Sequence, residues 1–99
     1  MIRLNEKPFF LSDEDIDWVE QTKNDMTLEE KIGQLFVPIG YSGDPGYLEG
    51  VMLSHHIGGI MYRCGEAKEM QKTHRYLQEY SKIPLLIGAN LEDGGCGIA

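Results

Sequence analysis

An α/β fold with a parallel sheet is what this sequence predicts. Three short apolar runs, at 35–39, 57–62 and 83–89, are separated by two stretches whose apolar residues recur at helical spacing. Strands that alternate with helices are joined by right-handed crossovers into parallel neighbours. The runs are continuous rather than alternating, as strands covered on both faces require. With 99 residues the chain makes one small domain at most.

The elements follow in order. Residues 1–11 show no periodicity and read as an irregular leader on the surface, with Phe9, Phe10 and Leu11 as anchors. Ser12 is a good N-cap, and Asp13, Glu14 and Asp15 put negative charge in the first helical turn, where the helix dipole favours it. Ile16, Trp18, Val19, Thr22 and Lys23 give this helix one partly apolar side, ending near Asn24 and Asp25. Thr27-Leu28-Glu29-Glu30 opens a second helix as a capping box, with Leu28, Ile32 and Leu35 on one face. The run 35–39, closed by Gly40, reads as a buried strand, and Pro38 belongs near its end or at a sheet edge because it cannot donate to a ladder.

A glycine-rich loop, 40–46, leads into Leu48, Val51, Met52 and His55, which share a helical face. The run 57–62 is the second strand. Residues 66–80 form the cleanest helix, with Ala67, Met70, His74 and Leu77 on one face. Glu69, Lys72, Arg75 and Glu79 lie on the other, Arg75 and Glu79 at ion-pair spacing. The run 83–89 is the third strand, and 90–97 is a polar, glycine-rich loop at its C-terminal end. No helix follows to cover that strand, an abrupt ending for a doubly wound sheet.

Composition narrows the function. Nine Lys and Arg stand against 16 Asp and Glu, a net charge of −7, which disfavours nucleic acid and acidic membrane surfaces as partners. The longest apolar stretch falls far short of a membrane span. Residues 1–7 hold no apolar core of a secretory signal. Cys64 and Cys96 make no CxxC pattern, which suits a reducing, cytoplasmic setting.

Three segments carry a family resemblance. Met26-Thr27-Leu28-Glu29-Glu30-Lys31-Ile32-Gly33-Gln34-Leu35-Phe36 resembles the opening of the N-terminal barrel domain of family 3 glycoside hydrolases. His56-Ile57-Gly58-Gly59-Ile60-Met61 is similar to that family's second-strand motif. Ile83-Pro84-Leu85-Leu86-Ile87, with Asn90-Leu91-Glu92-Asp93-Gly94-Gly95, resembles its third strand and following loop. The segments come in the family's order, and the flavour is that of its β-N-acetylhexosaminidase and β-glucosidase branches. The resemblance implies a (β/α)8 barrel, which takes about 250 residues. Residues 12–99 would then be its first three strands with two N-terminal helices, an incomplete domain behind the leader 1–11.

By the same resemblance the nucleophile and the acid/base lie downstream, so no catalytic residue is assigned here and the 99 residues alone are expected to be inactive. The loop after the third strand does carry over. Where the family has Asp-x-Glu-Gly-Gly, this chain has Asn90-Leu91-Glu92, an extra Asp93, then Gly94-Gly95. Asn90 falls at the sugar-contacting aspartate and can still exchange hydrogen bonds with hydroxyls, though without a charge. Asn90, Glu92 and Asp93 are therefore the expected substrate-binding residues. Position agrees, because barrel substrates gather at the C-terminal ends of strands. Against it, Asp93-Gly94-Gly95 also spells an ordinary turn.

Other candidates are weaker. The loop 40–46 sits where phosphate loops sit, but it lacks their lysine and carries Asp44, so it reads as a turn. His55, His56, Cys64 and His74 show no paired ligand spacing, and no metal or other cofactor is expected. His55 and His74, on apolar helix faces, read as buried, hydrogen-bonded histidines. Arg63 follows the second strand and suits either a barrel mouth or a solvated loop. Cys96 has no base nearby to activate it.

The expected function is thus that of the N-terminal part of a retaining glycosidase. In complete form it would hydrolyse terminal β-linked glucose or N-acetylglucosamine, with carbohydrate as its partner and no organic cofactor. Exposed edges on the first and third strands would invite self-association. The competing readings are a small non-enzymatic α/β binding module and a degenerate remnant that binds sugar without turnover.

Overall fold

The computed structural model describes residues 2–62, 65–92 and 94, except for the side chains of Val51, Met52 and Tyr62. Arg63, Cys64, Asp93 and Cys96 lie outside the described residues. Three parallel strands stand side by side in chain order: β1 (Ile39–Gly40), β2 (Gly59–Tyr62) and β3 (Leu86–Gly88). Ile39 pairs with Met61 and Gly40 with Tyr62; Gly59, Ile60 and Met61 pair with Leu86, Ile87 and Gly88. The α/β fold with a parallel sheet is as predicted.

The first run is trimmed at its start. Leu35 closes the turn after the second helix, its N–H donating to Ile32 at 3.0 Å. Pairing begins at Phe36, whose carbonyl accepts from Gly58 N–H at 3.1 Å, and continues at Pro38, whose carbonyl accepts from Met61 N–H at 2.9 Å. Pro38 thus offers the ladder its acceptor alone, as an edge strand allows.

Both predicted helix starts are present. Helix α1 (Asp13–Asp25) is capped by Ser12, whose Oγ accepts from Asp15 N–H at 3.2 Å while the Asp15 carboxylate accepts from Ser12 N–H at 3.3 Å. Helix α2 (Leu28–Gly33) carries the same box between Thr27 and Glu30. The stretch predicted as one helix after the first loop is three unlike turns. It opens as α3 (Pro45–Tyr47), widens to a π turn at Leu48–Met52 and tightens to a 3₁₀ turn at Leu53–His55. The wide turn lets two residues five apart, Leu48 and Leu53, both reach the core. Helix α4 (Ala67–Tyr80) matches its predicted span to within a residue.

The core is Leu48, Ile57, Ile60, Met70, Leu77 and Leu85, with Tyr47, Leu53, Tyr76 and Ile87 packed against it. It lies between one face of the sheet and the helices that follow β1 and β2. Ile60 and its register partner Ile87 point into it. Their neighbours point the other way. A Cβ on Gly59 would meet the side chains of Leu86 and Val37, and Leu86 is 74% exposed. The sheet is therefore clad on one face and bare on the other, not covered on both as the continuous apolar runs suggested. Two right-handed crossovers, β1 to β2 to β3 without a reversal of order, set both connecting helices on the same side.

Other expected contacts fail in the same way. Leu28 and Ile32 of α2 and Leu35 just beyond it are exposed, Leu35 by 81%, and no described residue covers them. Helix α1 buries no residue. Phe9 and Phe10 are exposed, so of the three expected anchors Leu11 alone is half-buried. On α4, Met70 and Leu77 are buried and Ala67 is exposed. His74 is half-buried, whereas His55 is exposed. Among the described residues the ion pairs join Arg3 to Glu6, Glu20 to Lys23 and Glu30 to Lys82, so Arg75 and Glu79 do not pair. No described helix is long and apolar enough to cross a membrane.

Candidate functional site

A parallel register brings the C-terminal ends of all three strands to one edge of the sheet, at Gly40, Tyr62 and Gly88. The loops that leave this edge are the natural place for a ligand in an α/β protein. Asn90 and Glu92 stand two and four residues beyond β3, and both are exposed. Neither side chain hydrogen-bonds to another described residue, which leaves their polar atoms open to a ligand. The turn reading of this loop also holds. Gly94 N–H donates to Leu91 at 3.0 Å, and Gly94 has φ +71°, a conformation that glycine adopts without strain. Asp93, expected beside them, is outside the described residues.

A second feature lies on the same edge, at the ends of β1 and β2. A cavity of about 460 Å³ opens between the loop after Gly40 and the start of α4. Its polar lining comes from Tyr41, Ser42, Asp44, Glu66, Glu69 and Thr73. The loop is held by its own side chains. Ser42 Oγ accepts from Asp44 N–H at 3.1 Å, Asp44 Oδ2 accepts from Tyr47 N–H at 3.0 Å, and Tyr47 Oη accepts from Tyr41 N–H at 3.4 Å. Pro45 at the first helical position suits a turn whose N–H would go unused. Sequence reasoning read this loop as a plain turn and missed its closeness to Glu66 and Glu69. The one local signal was a tyrosine and two polar residues directly after a strand.

The opposite edge is built for structure. The Gln34 amide donates to the carbonyls of His56 at 2.8 Å and Ile57 at 3.3 Å, tying α2 to the entry of β2. Glu30 pairs with Lys82 at 3.0 Å across 52 residues. The Thr27 backbone N–H donates to the Glu30 carboxylate and, with Lys82, pulls its pKa down to about 2. Glu30, Gln34 and Lys82 line a smaller cavity of about 230 Å³ there. Gln78 secures the entry to β3, accepting from Leu85 N–H at 2.8 Å and donating to its carbonyl at 2.9 Å. Between α4 and the π turn, Tyr76 donates to Glu49 at 2.5 Å, which pushes the phenol up to about 12. Burial lowers the His74 pKa.

Among the described residues no three His, Cys, Asp or Glu side chains stand together as metal ligands. No family model matches the chain. The chain is nonetheless similar across nearly its whole length to glycosidase-type enzymes, the class to which the three sequence segments pointed. One such relative is a β-N-acetylglucosaminidase/β-glucosidase of Cellulomonas fimi, 45% identical over 94 residues, or 95% of this chain. Two solved structures of the β-glucoside phosphorylase BglX, one of them bound to 2FGlc, match 95% of the chain with a TM-score of 0.80 at 44% and 45% identity. The chain spans 17% of the length of the Cellulomonas fimi protein and 16–17% of the solved chains.

Proposed function

We propose that residues 12–99 are the first part of a (β/α)8 barrel of glycoside hydrolase family 3, with 1–11 as its leader. In complete form the protein would be cytoplasmic and would release terminal β-linked glucose or N-acetylglucosamine. The identity across 95% of the chain carries this reading. The one-sided sheet supports it, because a barrel wears its helices outside and packs its inner face with side chains from other strands. Val37 and Leu86 are the side chains that would turn inward. Asn90, Glu92 and Asp93 would meet substrate hydroxyls at the barrel mouth. A retaining mechanism needs two carboxyl groups about 5–5.5 Å apart, one as nucleophile and one as acid/base. Both would come from residues outside this chain, which alone would turn over nothing.

A second reading concerns the acceptor. Both solved relatives carry the name phosphorylase, so inorganic phosphate could replace water in the second step and leave a sugar phosphate.

Exchange of the matching segment of the Cellulomonas fimi relative for this chain tests the first reading, and the complete protein that contains this chain tests the second. The composite should cleave chromogenic β-glucoside and β-N-acetylglucosaminide, and the 99 residues alone should cleave neither. From the complete protein, free sugar as product, whatever the phosphate concentration, supports hydrolysis. Sugar phosphate formed in proportion to added phosphate supports phosphorolysis. A folded composite without turnover would favour the binding-module reading instead.

A further inference from the structure

We infer that the apolar side of α2 seals the N-terminal end of the barrel, packing against inward side chains at the entries of the strands beyond β3. This rests on the barrel reading and adds what α2 does there and what covers it. The helix has two unlike sides. Glu30 pairs with Lys82 at the entry of β3, Gln34 donates to the carbonyls of His56 and Ile57, and Gly33 packs on the backbone of His55. Leu53, Tyr80 and Ile83 line the small cavity under this tied side, so it looks onto the ends of the helix layer. Two residues along a helix turn through about 200°, which sets Leu28 and Ile32 opposite Glu30, and Ile32 opposite Gln34. The apolar side therefore looks away from the helix layer.

The chain that leaves α2 carries this surface onto the bare face of the sheet. It runs through Leu35 and Phe36, both exposed, to Val37. A Cβ on Gly59 would stand 3.1 Å from the Leu86 side chain and 3.3 Å from that of Val37, so the two converge over this glycine at the level nearest α2. A barrel interior is filled in layers of side chains drawn from alternate strands. Val37 from β1 and Leu86 from β3, with a glycine of β2 between them, are one part of such a layer. The rest of it would come from later alternate strands across the barrel axis, with α2 lying beneath. A protein of the Cellulomonas fimi relative's length has ample chain for those strands, since this chain spans 17% of it. Glu29 and Lys31, exposed on the two flanks of α2, give the seal a polar rim.

The test uses the complete protein that contains this chain, in single-cysteine variants of α2 that retain turnover. Peptide mass spectrometry follows alkylation at each site and resolves it from Cys64 and Cys96. Ile32→Cys should react about a hundredfold more slowly than Lys31→Cys at every protein concentration, because only local opening exposes it. A photoreactive phenylalanine analogue in place of Leu28, at the start of the helix, should cross-link within the same chain to the N-terminal ends of strands beyond β3. Equal alkylation at the two sites overturns the seal, while turnover of β-glucoside by the same sample leaves glycoside cleavage standing. Protection that is lost on dilution, with cross-links between chains, overturns it in favour of a second copy. Cross-links to a part of the chain outside the barrel overturn it in favour of another domain. If the unsubstituted protein cleaves neither glycoside, the reading beneath the seal falls and the seal with it.

Discussion

Two glycines stand where backbone meets backbone at close quarters. A Cβ on Gly33 would run into the backbone carbonyl of His55, and one on Gly58 into that of Gln34, where α2 meets the entry to β2. Backbone cannot yield as a flexible side chain does, so Gly33→Ala and Gly58→Ala should each cost about 2–4 kcal/mol in urea denaturation. Gly50, with open space around it inside a helical segment, is the control; Gly50→Ala should stabilise by up to about 1 kcal/mol. Glu30 makes a prediction in pH. Its folded pKa of about 2 lies below the ordinary 4.5, so its stabilising effect is complete above 4.5 and is lost as pH falls towards 2. The difference in urea midpoint between the native chain and Glu30→Gln should be constant at neutral pH and close across that window.

At the scale of the element, the two caps separate by what their helices touch. Thr27→Ala should cost about 1 kcal/mol of global stability, because α2 is tied to β2 and, through Glu30 and Lys82, to the entry of β3. Ser12→Ala should reduce the helical circular-dichroism signal but leave the core's melting unchanged, since α1 buries nothing. Both caps were legible because a capping box spans four residues. The span of α4 was legible from hydrophobic spacing, whereas the runs 57–62 and 83–89 contained β2 and β3 but overstated them, since only Gly59–Tyr62 and Leu86–Gly88 pair. What escaped was what lies far apart in sequence. Glu30 meets Lys82 over 52 residues, and the cavity joins the loop after β1 to α4, so no local pattern announces either. The face of Leu28, Ile32 and Leu35 was legible as apolar but its exposure was not, because periodicity marks a surface that seeks a partner without supplying one. Asn90 and Glu92 are candidates through the family motif and the strand-end rule together, whereas the turn at Gly94 was visible in the residues alone.

The whole molecule is large for its mass. Its accessible surface is 7384 Å², against about 5,700 Å² for a compact protein of 11.2 kDa. Its radius of gyration is 15.4 Å where about 12.6 Å is usual for 99 residues. Leu35, Phe36, Val37 and Leu86 are part of that excess. The chain alone should associate at micromolar concentration and bind a hydrophobic dye; a sharp two-state melt from a monomer in sedimentation would refute this. The order β1-β2-β3 also dictates how copies would join. The free edges of β1 and β3 differ, so a copy that pairs its β1 in parallel with the β3 of the next makes a head-to-tail contact rather than a two-fold one. Whole copies add strands in threes, reaching six or nine and never the eight that close a barrel. Such a contact has no partner count at which the eight-stranded geometry shuts, and growth into open chains, rather than a dimer of fixed size, is its natural course.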